Sequence, residues 1–351
     1  IAILVDFSQY ITKKDEILTD FWKKFKLDSL SGQWDYIESA LFGYATGLVI
    51  ESFVKFNLLP YHKVVAQFHE WMTGAGLLYL KKTALPVATV FTTHATVTGR
   101  SIAGNGLPLY DKIDTYNEKE KAKEFNITAK HSIEKVSATE ADICTTVSDI
   151  TAKECLKFLD RKVDIVTPNG FENTFTPTSE EYESVHSSSR KILLDMASVM
   201  SGYPVAADAM LVAISGRYEY KNKGIDIYLD ALGRLNSNKD LKKEVIAYIF
   251  VPAATHGPNK DLLSKIQNGG DYRTNCTHYL SEPDWDPVVK KVRELNLLNR
   301  ENDKVRVFFV PSYLNGNDGI FNKTYYTLLA GLDLTIFPSY YEPWGYTPLE
   351  S

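Results

Sequence analysis

Residues 210–235 read MLVAISGRYEYKNKGIDIYLDALGRL, and this stretch indicates the fold class more clearly than any other. It begins with a short apolar, β-branched run, the pattern of a buried β-strand at 210–215. After a polar connection, five apolar residues recur with the 3.6-residue period of a helix that buries one face. They are Ile225, Tyr228, Leu229, Leu232 and Leu235. The stretch therefore predicts one βα unit of a parallel sheet.

The same strand-then-helix pattern recurs along the chain in two series. Strands are predicted at 2–7, 63–68, 86–93, 142–147 and 163–167, and then at 210–215, 244–251, 304–310 and 332–338. Alternating strands and helices form parallel sheets with right-handed crossovers, and functional groups collect at the carboxyl ends of the strands. The predicted fold class is α/β.

Two series in 351 residues predict two domains, because a domain averages about 150 residues. The polar stretch 173–208, rich in Ser and Glu, contains the boundary, which we place between 205 and 206. Residues 253–305 interrupt the second series with polar, helix-forming sequence, and we interpret them as an insertion.

The composition excludes several classes of protein. A net charge of -5 argues against nucleic-acid binding, which usually requires a basic face. No run of eighteen apolar residues occurs, so no membrane span is predicted. The three cysteines have no CxxC spacing and no secretory signal precedes them, which predicts buried thiols in a cytoplasmic protein.

Two cations lie between the 210–215 strand and its helix. Arg217 and Lys223 are six residues apart, and two positive charges at the carboxyl end of a strand can converge on a diphosphate. The alternative is a solvated basic loop, the usual state of surface charges. The sequence is compatible with both a diphosphate site and a solvated loop.

The stretch SYYEPWGYTPLES follows the last predicted strand. Glu342 falls in an irregular loop where no helix cap requires a carboxylate, which favours a functional role. Gly345, Tyr346 and Thr347 would present backbone N–H groups at a helix N-terminus, a place suited to phosphate. Glu350 completes a capping box with Thr347 as the N-cap, so a structural role for it is as well supported as a functional one.

Polar residues also end the strands of the first series. His94 and Arg100 follow the 86–93 strand, and Asn169 follows the 163–167 strand. A histidine at a strand end, such as His94 or His69, is more often a satisfied structural residue than a catalytic one. Neither histidine has the spacing of a metal ligand.

Asp284 and Asp286 form a D-x-D sequence, which in some nucleotide-sugar enzymes binds a divalent metal. Here it precedes a helical stretch, so we interpret it as acid placement at a helix N-terminus and predict no metal site. Neither GxGxxG nor a P-loop nor GxSxG occurs, which removes the common phosphate-binding and serine-hydrolase motifs.

Five motifs in this order resemble the animal and fungal type of glycogen synthase, glycosyltransferase family 3, over essentially the whole length. They are FTTHATVTGR at 91–100, VTPNG at 166–170, SGRYEYKNKG at 215–224, YLNGNDGIFN at 313–322 and FPSYYEPWGYTPLES at 337–351. The resemblance implies a B-type glycosyltransferase fold, with two Rossmann-like domains facing across a cleft. Residues 1–205 would be the acceptor side and 206–351 the nucleotide-sugar side.

The family has a glycine-rich loop ahead of the first motif and further sequence after the last. Both are absent here, so we expect a fragment whose first domain lacks its start and whose second domain lacks its end.

The resemblance also implies a retaining transfer of glucose from UDP-glucose to the non-reducing 4-hydroxyl of an α-1,4-glucan, with no metal and no cofactor. By the resemblance, Arg217 and Lys223 would bind the donor phosphates together with the backbone amides of Gly345, Tyr346 and Thr347, and Arg100 would reach the phosphates from the first domain. Glu342 and His94 would contact the donor glucose. Glu350 would approach the ribose, Tyr325 would stack on uracil, and Asn169 would lie near the same cleft.

Two alternatives stay open: a related glucan synthase that uses ADP-glucose, and a non-catalytic glucan-binding scaffold. A degenerate relative usually loses its charged site residues first, and Glu342, Arg217, Lys223 and His94 are present, which argues against the scaffold. The expected partners are a nucleotide sugar and a glycogen or α-1,4-glucan primer, with no nucleic acid and no membrane. A homo-oligomer is compatible with this interpretation.

Overall fold

The computed structural model describes residues 2–59, 61–83 and 85–351. The chain divides into two compact units, Ile1–Gly170 and Phe171–Ser351. Each is a parallel sheet with helices packed around it, as alternating strands and helices predict.

The first unit is built on a four-stranded parallel sheet in the order β1-β2-β3-β4. The strands are β1 Val64–His69, β2 Val87–Thr93, β3 Ile143–Thr146 and β4 Ile165–Val166. The helices are α1 Lys14–Phe25, α2 Trp34–Asn57, α3 Glu70–Thr83, α4 Val97–Gly104, α5 Glu118–Glu124, α6 Thr128–Glu140 and α7 Asp149–Leu159, with 3-10 turns at Ser8–Lys13 and Tyr110–Thr115. These four strands confirm the predictions from 63 to 167.

The second unit is built on a parallel sheet in the order β10-β5-β6-β9, with an antiparallel pair β7-β8 beside it. The strands are β5 Met210–Ser215, β6 Val245–Phe250, β7 Thr255–Pro258, β8 His278–Leu280, β9 Val305–Val310 and β10 Leu334–Thr335. The helices are α8 Tyr182–Ser201, α9 Ile225–Asn236, α10 Lys260–Asn268, α11 Pro287–Glu294, α12 Tyr325–Leu329 and α13 Tyr346–Glu350. The strand and helix predicted from 210–235 are β5 and α9.

Residues 2–7 are not a buried strand, and that prediction was wrong. Ile3 and Leu4 are 60% and 98% exposed, and none of the described strands pairs with this segment. An apolar run indicates a tendency to be buried, but a strand also needs a neighbour to satisfy its backbone hydrogen bonds.

The second unit begins at Phe171, earlier than the 205/206 boundary expected from the polar sequence. The reason is α8, whose buried Leu193, Met196 and Met200 pack in one cluster with β5. Its other face is polar, which is why the stretch resembles a linker in sequence.

The expected insertion at 253–305 contains β7, α10, β8 and α11. In α11, Val288 and Val292 are buried in the same core cluster as α9 and β9. The last part of this stretch is therefore the crossover helix from β6 to β9.

By length and composition alone, α2 could cross a membrane. One such helix is weak evidence, because core helices of globular proteins pass the same test. Tyr36, Ala40 and Leu41 of α2 are buried in the core of the first unit together with Leu77 and Leu78 of α3.

Candidate active site

The loop between β5 and α9 carries both predicted cations, and the structure places them differently. The Lys223 side chain is only 11% exposed, and its Nζ lies 2.5 Å from Glu342 Oε2. The Arg217 side chain is 67% exposed and pairs with Glu219 at 3.2 Å. Lys223 is thus fixed within the site, whereas Arg217 lies at its solvent side.

Glu342 lies in the irregular loop that follows β10, as its sequence context predicts. Its Oε2 also accepts a hydrogen bond from Ser339 Oγ at 3.0 Å. Gly345 has φ +82, and a Cβ there would lie 3.0 Å from Glu342 Cγ. The carboxylate is therefore oriented by its own loop as well as by Lys223.

These two loops are joined through their backbones. The carbonyl of Asn222 accepts hydrogen bonds from the backbone N–H groups of Tyr340 and Tyr341, at 2.9 and 3.2 Å. Gly224, with φ +66, packs so closely that a Cβ would overlap the carbonyl oxygen of Pro338 and lie 2.6 Å from its carbonyl carbon. Sequence reasoning missed Asn222 and Gly224, which hold Lys223 against Glu342.

The end of the sequence forms a short helix, but its capping differs from the prediction. α13 begins at Tyr346 with Gly345 as its N-cap, so Thr347 is a helical residue and not the N-cap. Glu350 Oε1 instead accepts a hydrogen bond from Tyr326 Oη at 3.0 Å. The capping-box interpretation of Glu350 was therefore wrong, and its carboxylate has a side-chain partner.

Tyr325, at the start of α12, lies under the same edge of the sheet. Its hydroxyl is 2.8 Å from Ser215 Oγ at the end of β5. Burial, as the leading cause, raises the pKa of Tyr325 to about 12. The ring is half-buried, so it is held in place beside the β5–α9 loop.

In the first unit, His94 lies just beyond β2 and contacts the end of β1. His94 Nε2 and His69 Nδ1 are 3.0 Å apart, and the backbone N–H of His94 donates to Glu70 Oε1 at 2.8 Å. Burial, and then the neighbouring His69, lower the pKa of His94. The ring is therefore held neutral and oriented, as a binding or catalytic histidine requires.

The loop from His94 into α4 is supported from below by two fully buried carboxylates. Glu134 accepts hydrogen bonds from the Val97 backbone N–H, at 3.0 and 3.2 Å, and from Thr93 Oγ1 at 3.3 Å. Glu154 accepts one from Thr96 Oγ1 at 2.6 Å. Burial, above all, raises the pKa of Glu134 well above its ordinary value. Sequence reasoning missed both carboxylates, because helical periodicity does not reveal which buried position carries one.

Arg100 and Asn169 occupy the same edge of the first sheet as His94. Arg100 lies on α4, with its backbone N–H donating to the Thr96 carbonyl at 3.0 Å, and its side chain is half-buried. Asn169 follows β4 and is also half-buried. The first unit therefore brings His94, Arg100 and Asn169 to one edge, and the second brings Lys223, Glu342 and Tyr325 to another.

The D-x-D sequence is a helix cap, as predicted. Asp286 Oδ1 accepts from the backbone N–H groups of Val288 and Val289, and Asp284 pairs with Arg293 at 3.3 Å. Across residues 2–59, 61–83 and 85–351, no group of three His, Cys, Asp or Glu side chains could hold a metal ion.

The cysteines are free thiols. Cys144 and Cys155 are buried and Cys276 is half-buried. Burial raises the pKa of Cys144 to about 11 and that of Cys276 to about 12, so both are protonated and unreactive at neutral pH.

Comparison with known proteins identifies the family to which the chain is similar. A family model described as glycogen synthase matches residues 1–269 and 260–351. The chain is 30% identical to a glycogen [starch] synthase of Dictyostelium discoideum, over 99% of this chain and 46% of that protein. It is 29% identical to the liver glycogen [starch] synthase of Rattus norvegicus, over 99% of this chain and 57% of that protein. The chain spans about half the length of these relatives.

Among solved structures, the chain is similar to an α,α-trehalose-phosphate synthase (UDP-forming) from Burkholderia vietnamiensis. The TM-score is 0.51 at 10% identity, covering 96% of this chain and 68% of that one. At this identity the likeness shows the fold alone, and it confirms the predicted α/β fold class with parallel sheets.

Proposed function

The chain belongs to the glycogen synthase family, and from this we propose that the protein transfers glucose, with retention of configuration, from UDP-glucose to the non-reducing 4-hydroxyl of an α-1,4-glucan. The observation that carries the proposal is the contact between Lys223 and Glu342, 2.5 Å apart at the carboxyl edge of the second sheet. A largely buried cation beside a loop carboxylate suits a sugar diphosphate, which needs positive charge at its phosphates and a polar contact at its sugar.

Each step of the proposed reaction can be assigned to charges of this chain. The bond from the anomeric carbon to the diphosphate oxygen breaks, and a bond from the acceptor 4-oxygen forms on the same face. Lys223 and Arg217 offset the negative charge that develops on the departing diphosphate, which accepts the proton of the acceptor hydroxyl. Glu342 would orient the donor glucose, with His94 as a further contact from the first unit.

We propose that the transfer needs no metal ion. In many nucleotide-sugar enzymes a divalent cation neutralises the diphosphate. Here Arg217 and Lys223 lie on one nine-residue connection, 216–224, and provide two positive charges. The N–H groups of Gly345, Tyr346 and Thr347 lie at the start of α13, near Glu342 in sequence, and would add partial positive charge.

The other proposed donor contacts are assigned from where the residues lie in the structure. Tyr325 is held beside the β5–α9 loop, which suits stacking on the nucleotide base, and Glu350 would approach the ribose once it exchanges its bond from Tyr326. Arg100 and Asn169 would contribute from the first unit.

We also propose a cytoplasmic location, since three free thiols suit a reducing compartment.

The proposal is tested by following incorporation of labelled glucose into glycogen by the whole protein in the presence of EDTA, with UDP-glucose and ADP-glucose in parallel. Incorporation from UDP-glucose is expected. Incorporation from ADP-glucose alone would change the donor and keep the reaction. Binding of glycogen without transfer from either donor would contradict an enzymatic function and favour a non-catalytic glucan-binding scaffold.

Matched variants connect the activity to the site. Lys223→Ala should abolish most transfer, whereas Lys243→Ala, which removes an exposed lysine of the same unit, should leave it unchanged. Equal activities of the two variants would remove Lys223 from the proposed mechanism.

A further inference from the structure

The ends of β1 and β2 bring two histidines together. The strands are parallel neighbours, with His69 opposite Thr92, so the chain leaving β2 passes beside the His69 ring. The two rings lie 5.3 Å apart between centroids at 30°, and His69 Nδ1 is 3.0 Å from His94 Nε2. This distance is a hydrogen bond, in which one ring must donate and the other must accept.

The residue after His69 makes a second, independent contact with His94. Glu70 has φ +64, a left-handed conformation that residues other than glycine adopt only when the surroundings impose it. In this conformation Glu70 Oε1 accepts the backbone N–H of His94 at 2.8 Å. The strained junction between β1 and α3 thus contacts both the side chain and the backbone of His94.

We propose that His69 is a positioning residue for the transfer: its ring occupies Nε2 of His94 and leaves Nδ1 of His94 as the nitrogen that meets the donor sugar. This inference rests on the proposed function. It names a residue that acts through His94 and does not itself touch the substrate. A hydroxyl group requires a ring nitrogen of defined direction, and the bond to His69 fixes the direction of the His94 ring and pairs a donor on one ring with an acceptor on the other.

The charged surroundings of His94 are consistent with this role. His69 on β1 and Glu70 at the start of α3 contact it directly, Arg100 lies on α4 beyond the same loop, and Glu134 on α6 lies beneath that loop. A proton on each of the four ring nitrogens would break the bond between the rings.

The test begins with nitrogen NMR of the histidine rings in the whole protein, which needs no activity. In the wild-type protein, His94 should show one tautomer and titrate below pH 6.5, its ordinary pKa. His69→Phe keeps a ring but loses the bond, so His94 should become a mixture of tautomers with a higher pKa. His69→Asn, which can still hydrogen-bond to His94 Nε2, should bring the His94 signals back toward those of the wild-type protein. His62→Phe, a distant exposed histidine of the same unit, is the control and should change nothing at His94.

Kinetics then separate positioning from folding. His69→Phe should lower kcat for glucose transfer roughly tenfold, as loss of an orienting partner usually does, with a smaller change in KM and a shifted pH profile. His69→Asn should recover most of the loss. An unchanged His94 tautomer and pKa in His69→Phe would overturn the inference, whatever the activity. A wild-type protein without transfer activity would instead overturn the proposed function and leave the NMR result standing.

Discussion

Replacing Gly224 by Ala tests whether close packing of two loops holds Lys223 beside Glu342. Gly224 is the N-cap of α9 and has φ +66. A methyl group there would overlap the Pro338 carbonyl oxygen and lie 2.6 Å from the carbonyl carbon. Both partners are backbone, so neither can swing away as a flexible side chain would, and the loops must separate.

The expected loss of stability has two parts. Left-handed backbone costs a non-glycine residue about 1 kcal/mol, and overpacking against a fixed neighbour costs about 1–3 kcal/mol. The sum is about 2–4 kcal/mol, which for a unit of this size lowers Tm by roughly 5–12 °C. Glucose transfer should fall as well, since the 2.5 Å contact between Lys223 and Glu342 depends on the spacing of these loops.

Differential scanning calorimetry of the whole protein measures this loss, with Gly257→Ala as the matched control. Gly257 has φ +101, and no atom lies within 4 Å of the position that a Cβ would occupy there, so its substitution introduces strain without overlap. Its φ lies farther from the left-handed well than that of Gly224, so it bears at least as much strain. The loss of Tm in Gly224→Ala should exceed that in Gly257→Ala, because only Gly224→Ala adds the overlap with Pro338. A loss no larger than that of the control would contradict the expected overpacking of about 1–3 kcal/mol.

Three further predictions concern charge. Arg217→Ala should lower turnover of the whole protein at least tenfold, since one charge-assisted phosphate bond is worth about 1.5–3 kcal/mol, and normal turnover would remove Arg217 from the site. EDTA should leave glucose transfer unchanged, whereas loss of activity restored by a divalent metal would bring back Asp284 and Asp286 as ligands. Burial raises the pKa of Glu134 above its ordinary value of 4.5, so the folded state keeps a proton that the unfolded state releases. The free energy of unfolding should therefore fall as pH rises from 4.5 through the raised pKa, and Glu134→Gln should flatten that slope in urea unfolding series. An unchanged slope would mean that Glu134 is ionised in the folded protein.

The sheets could be predicted from the sequence because buried parallel strands are continuous apolar runs. The run at 210–215 became β5 with the same bounds, and 304–310 became Val305–Val310. The run at 2–7 is also largely apolar, but no strand lies beside it among the described residues. Composition reports the preference for burial, whereas pairing depends on contacts that are distant in sequence.

The candidate site was predicted only in part, for a similar reason. Lys223 and Glu342 could each be identified from the sequence as charged residues that follow a predicted strand. In the structure they form a hydrogen bond, although they are 119 residues apart in the sequence. Glu134 and Glu154 lie on helices whose apolar period gives no sign of a carboxylate, and their partners are 37 and 58 residues away. Local patterns identify groups that could act, but they do not identify the groups that hold them.

The ion pair between Lys223 and Glu342 bears on how a transferase of this kind could favour its transition state. Only interactions that strengthen along the reaction accelerate it. Because Glu342 already neutralises Lys223, an incoming donor must compete with that carboxylate for the lysine. A diphosphate that is leaving carries more negative charge than one still esterified to glucose, and so competes better. Under the proposed function, Lys223 would therefore attract the bound donor weakly. It would attract the diphosphate more strongly as the bond between glucose and the diphosphate breaks.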